Sequence, residues 1–103
     1  MISGKLQQYT DFILQYFNGY EAGQGLFFRT IEINARKIFP DSKSYNDFLF
    51  VYFQLLGNDI LDGTDNGFIK LTQTGFETLN SGEVLELPIH FDYLSVFNQG
   101  LLN

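Results

Sequence analysis

The sequence predicts an α+β domain, mainly helical: three helices, a β-hairpin, a fourth short helix and a C-terminal helical extension. Three observations carry that expectation. Apolar residues recur at three- and four-residue steps through the first half, the spacing of helix faces. Asp-Gly and Asn-Gly pairs punctuate "DILDGTDNGFIKL", a hairpin signal. The chain has 103 residues, 45% of them apolar, which suits one domain with one core.

In the first segment Leu6, Tyr9, Phe12, Ile13, Tyr16, Phe17 and Tyr20 share one helical face, so helix 1 is expected from about Leu6 to Asn18. "NGYEAGQG" breaks it. "FFRTIEI" is aromatic and β-branched enough to begin extended. Phe28, Ile31, Ala35 and Ile38 then form a stripe, with Thr30 as a candidate cap, and Pro40 stops the helix. Helix 2 is placed from about Ile31 to Phe39. Ser44 and Asp47 fit a capping box with Asp in the Glu position, opening helix 3, which ends near Gly57. Helix 3 is apolar almost all round. Tyr45, Phe48, Val51, Tyr52 and Leu55 are expected inward, leaving Asn46, Asp47, Phe50, Phe53 and Gln54 outward.

Two short strands follow, and Thr72 is expected to cap a helix running to about Asn80. The final residues hold a strand-like piece, Pro88 and an apolar helical candidate from Tyr93 to Leu102.

From Leu6 to Leu79 this order of elements resembles the winged helix-turn-helix superfamily. "FIKLTQTGFETL" is similar to the third strand and following helix of PadR-like and MarR-like regulators. Their pattern is Leu-Thr, two residues, Gly, three residues, Leu. Leu71, Thr72, Gly75 and Leu79 occupy those places. The physics of the pattern is clear. Leu71 closes the strand on the core, and Thr72 accepts from a backbone N–H at the helix start, worth about 1 kcal/mol. Gly75 permits close approach, and Leu79 reaches the core one turn on. The resemblance implies a three-helix core with a hairpin wing over residues 1–82. An extension, 83–103, would pack on the domain or on a second protomer through Tyr93 and Phe97. It also implies DNA binding, with helix 3 in the major groove and the wing on phosphates.

The contact positions depart from that pattern. Helix 3 offers no Lys or Arg on its expected outward face, and the wing carries Asp59, Asp62 and Asp65. Six Lys and Arg stand against twelve Asp and Glu, a net charge of −6, which opposes binding to phosphate backbones and anionic membranes. Basic residues gather instead around helix 2, at Arg29, Arg36, Lys37 and Lys43, with Ile33 between the two arginines.

Twelve Phe and six Tyr are more than a domain this small readily hides, so a partner surface is expected. Phe50 and Phe53, flanked by Asn46 and Gln54, are its candidate anchors. "DGTDNGFIKLTQ" approaches a calcium loop through Asp62, Asn66 and Gly67. Gln73 replaces the bidentate Glu at the twelfth place, so a turn is expected and no metal or cofactor. His90 is the sole histidine and there is no cysteine, so no enzyme is expected. "MISGKLQQYTDF" has no secretory pattern and "FLFVYFQLL" is half a membrane span, so the expected location is cytoplasmic.

The leading expectation is a non-enzymatic module that binds a protein partner or itself through the aromatic face of helix 3. The alternative is a dimeric DNA-binding transcription regulator touching phosphates through Arg29, Arg36, Lys37 and Lys43. A third is an acidic mimic of DNA.

Overall fold

The computed structural model describes residues 6–81. The extension, with Tyr93, Phe97 and His90, lies outside the described residues. Along the chain run α1 (Gln7–Leu14) with a 3-10 turn (Gln15–Phe17), β1 (Gly25–Phe27), α2 (Phe28–Ile38) and α3 (Ser42–Gly57). After these come β2 (Leu61–Gly63), β3 (Phe68–Leu71) and α4 (Gln73–Asn80). The fold is α+β and mainly helical, with a three-stranded antiparallel sheet ordered β1-β3-β2.

The face expected of helix 1 is the buried one. Tyr9, Phe12, Ile13 and Phe17 are buried, while Leu6, Tyr16 and Tyr20 pack against the same core. The helix tightens into the 3-10 turn, and Asn18 then leaves helical backbone at φ −63°, ψ 125°.

Helix 2 begins three residues earlier than expected. Phe27, not Thr30, holds the position before its first turn, and no side chain caps it. Its first amide finds a tertiary partner instead: Phe28 N donates to Gly67 O at 2.8 Å. A helix end left without a local cap needs such a partner. The expected stripe also fails at its end, because Ile38 is 57% exposed. Phe39 takes the inward role. Ahead of Pro40 its backbone turns to φ −119°, ψ 69°, and its ring meets Tyr9 at 4.8 Å and Phe12 at 5.3 Å.

The cap of α3 lies one turn upstream of the expected box. Asp41 Oδ2 accepts from Ser44 N at 2.9 Å, so Ser44 is the third helical residue and not the cap. This hydrogen bond to the ionised form, aided by Lys43, holds the Asp41 carboxyl below its ordinary value. The far end of α3 closes with Ile60 N donating to Leu55 O and Asp59 N to Leu56 O. That pair of bonds is a Schellman motif, with Asp59 in the left-handed region at φ 60°.

The sheet has two dissimilar faces. Ile69 and Leu71 point into the core with Leu61, while Phe68 and Lys70 face outward. Phe27 lies opposite Phe68, and Lys70 lies between Gly25 and Asp62 on its two neighbouring strands. Gly25 is required here, since a Cβ would fall within van der Waals radii of Ile69 O. The β2–β3 loop closes with Thr64 N donating to Phe68 O and Gly67 N to Thr64 O. Asn66 Oδ1, a would-be calcium ligand, accepts from Phe68 N and lies within hydrogen-bonding distance of the Thr64 hydroxyl.

Thr72 caps α4 as expected, accepting from Gly75 N at 2.8 Å. Leu79 packs on the core edge. The centre of the molecule is Phe48 and Phe17 with Ile13, Ile31, Val51 and Leu55, all buried. Each such side chain contributes roughly 1.5–3 kcal/mol by leaving water.

Candidate interaction surface

Of the α3 face expected outward, Gln54 departs from the expectation, and Phe50 and Phe53 are only partly exposed. Gln54 is fully buried, and Phe50 is half-buried against the core. Phe53 is half-buried with its ring 5.8 Å from Tyr52, and Asn46 and Asp47 are half-buried as well. A helix apolar almost all round is enclosed on more than one side, and this one follows that rule.

The exposed apolar surface lies on β1 and α2. Phe27 is 51% exposed and meets Phe68 edge-on at 5.1 Å on the outer face of the sheet. Ile33 is 44% exposed, and Arg29, Ile33 and Arg36 follow at four and three residues along one face of α2. Phe27, Arg29 and Ile33 line a cleft of about 530 Å³ whose far side is Asn66 and Gly67 of the hairpin loop. The bond from Phe28 N to Gly67 O fixes the loop to the start of α2, so the cleft walls are tied together. Lys37 is exposed one residue beyond Arg36.

The basic residues are not equivalent. Arg36 stacks its guanidinium 4.5 Å above the Tyr45 ring and meets Glu32 Oε2 at 3.5 Å. Tyr45 donates from its hydroxyl to the same oxygen at 2.9 Å. This trio clamps α2 to α3, so Arg36 belongs partly to the scaffold. Burial, then the bond to Glu32, pushes the Tyr45 phenol up to about 12. Burial alone does the same for Tyr52. Arg29 and Lys37 are exposed without an ion pair among the described residues. Lys43 is exposed beside the Asp41 cap and is not among the residues that line the cleft.

Of the three aspartates expected at the wing tip, only Asp65 lies in the β2–β3 loop; Asp62 is on β2 and Asp59 closes α3, and all three are exposed. Lys70 stands opposite Asp62, which moderates the charge of the strands but leaves the tip acidic. Phe27 and Phe68 were not singled out from the sequence. The signal was present in "FIKL", where Phe68 and Lys70 must share the face opposite Ile69 and Leu71.

No helix among the described residues is long and apolar enough to cross a membrane. No family model, curated protein or solved structure matches this chain.

Proposed function

We propose that this domain is a non-enzymatic protein-interaction module on a winged-helix-like scaffold, binding an acidic protein surface through the cleft beside α2. One observation carries the reading: two large apolar side chains, Phe27 and Ile33, stand about half exposed in one cleft with the Arg29 guanidinium. Apolar anchors beside an arginine are the composition of interface hot spots. Phe50 and Phe53 of α3 are not among the residues that line this cleft, and Phe50 packs against the core. The order of strands and helices, the Thr72 cap and the Gly75 approach support the winged-helix-like scaffold.

The test uses peptides selected from a displayed random library against the full chain. Enriched sequences should combine Asp or Glu with Leu, Phe or Trp, and their binding should fall at least tenfold in Ile33→Asp and in Arg29→Glu. Both residues are exposed, so the variants should retain the parent's thermal midpoint. Selection without such a consensus, or binders indifferent to both variants, would refute the proposal.

The alternative, a dimeric DNA-binding regulator, is favoured by the arrangement of the elements and by the exposure of Arg29, Lys37 and Lys43. It predicts binding to a duplex of about 20 base pairs that weakens steeply as salt rises. The acidic hairpin tip speaks against it.

A further inference from the structure

A second cavity, lined by different residues, lies between α1 with its following turn and α4. Its volume is about 710 Å³, within the range that accepts a drug-sized molecule. Phe17, Tyr20 and Phe76 supply aromatic walls, and Asp11 and Glu21 supply two carboxylates. Among the described residues, no Lys, Arg or His is in the lining. Asp11 accepts from Gln7 Nε2 at 3.0 Å, a neutral donor that leaves its charge uncompensated. The only ion pair among the described residues is Arg36 with Glu32, far along the chain from either carboxylate.

A further feature belongs to the same wall. Thr10, also in the lining, is buried at 2% exposure, and its hydroxyl is the one buried side-chain polar atom without a hydrogen-bond partner among the described residues. Buried polar atoms in folded proteins are nearly always paired, and each exception calls for a physical cause. The hydroxyl oxygen is itself sealed from solvent, so it lies behind the cavity wall and not on it.

We propose that this cavity binds a small organic cation, an amine or quaternary ammonium carried on an aromatic or aliphatic body. The rings of Tyr20 and Phe76 receive the apolar body, and electron-rich ring faces attract a cation. Asp11 and Glu21 select positive charge over neutral or negative. An anionic ligand is opposed by both carboxylates and by the net charge of −6. The site is separate from the cleft beside α2, sharing no residue with it.

The experiment compares three probes with one ring system and different charge: 1-naphthylmethylammonium, 1-naphthalenemethanol and 1-naphthoate. Each is titrated into the isotopically labelled full chain at about 50 mM salt and followed by amide chemical shifts. The ammonium is expected to bind about five- to tenfold more tightly than the alcohol, the naphthoate not measurably, with shifts centred on Asp11, Tyr20 and Phe76. Asp11→Asn with Glu21→Gln should bring the ammonium down to the affinity of the alcohol. Both residues are exposed, and an unchanged spectrum elsewhere confirms that the variant is folded. Equal binding of the three probes, shifts centred elsewhere, or undiminished ammonium binding by the double variant would overturn the proposal. Ile33→Asp should leave ammonium binding untouched, which separates this site from the peptide-binding cleft.

Discussion

Replacing Gly75 with alanine sets two effects of opposite sign against each other. Helix propensity favours alanine over glycine within a helix by about 1 kcal/mol. Tertiary packing opposes it. A Cβ at this position would overlap the Ile60 carbonyl oxygen and sit 2.8 Å from Leu71 Cδ1. Backbone carbonyls do not swing aside as side chains do, so α4 would retreat by about 1 Å to restore contact distance. That retreat stretches the bond from Thr72 N to Ile60 O at 3.2 Å and the one from the Thr72 hydroxyl to Ile60 O at 3.0 Å. Overpacking costs about 1–3 kcal/mol and each weakened hydrogen bond up to about 1 kcal/mol. Packing therefore wins, with a net loss of about 1–3 kcal/mol. Urea unfolding followed by circular dichroism should show a midpoint lower by about 1–2 M, or a thermal midpoint lower by roughly 4–8 °C per kcal/mol. Thr74→Ala, at an exposed site on the same helix, is the control and should gain a few tenths of a kcal/mol. A rise in stability for Gly75→Ala would show that α4 does not rest on the Ile60 carbonyl.

Asp59 closes α3 in the left-handed region, which costs a non-glycine residue roughly 1–2 kcal/mol, part of it recovered by an Asp side chain. Asp59→Gly should therefore stabilise the fold by about 0.5–1 kcal/mol in urea unfolding, and a destabilised variant would contradict the motif assigned there. Alkaline pH should loosen the domain through Tyr45 and Tyr52. Their folded phenols ionise at about 12 against 10.0 for the free group, so the folded state holds protons that the unfolded chain releases. That contribution is fully present below pH 10 and is lost as pH rises toward 12. The urea midpoint, followed across this window, should fall less in Tyr52→Phe and in Tyr45→Phe than in the parent. Equal falls in all three chains would remove both tyrosines from the account.

Local punctuation was legible in the residues. Thr72 followed by Gly75 announced a capped helix in close approach, and both features stand in the structure. The Asp-Gly and Asn-Gly pairs announced the hairpin. Reading the cap of α3 as Ser44 erred by one turn, because Asp41 and Ser44 are both good capping residues three positions apart. Only the hydrogen bond from Ser44 N to Asp41 Oδ2 tells them apart. The start of α2 was missed for a different reason. Its first amide is satisfied by Gly67, which is 39 positions away from Phe28, and no local pattern encodes that bond.

The candidate surface divided in the same way. Arg29, Ile33 and Arg36 were recognisable as a stripe from their spacing. Phe27 joined them only because β1 pairs with β3 and sets it against Phe68. Phe50, Phe53 and Gln54 were placed outward on the assumption that α3 buries one face. Full burial of Gln54 shows that it does not.

By itself the sequence determined the order of helices and strands, the Thr72 cap of α4, the turn of the hairpin and the sign of the charge at its tip. Those depend on neighbours within a few residues, whose geometry is the same in any fold. The tertiary structure decided which apolar side chains meet water: Phe39 turned inward and Ile38 outward, Gln54 was buried, and Phe27 and Ile33 were left half bare in one cleft. Burial is a relation between segments far apart in the chain, and an apolar residue carries the same hydrophobicity whichever way the packing turns it.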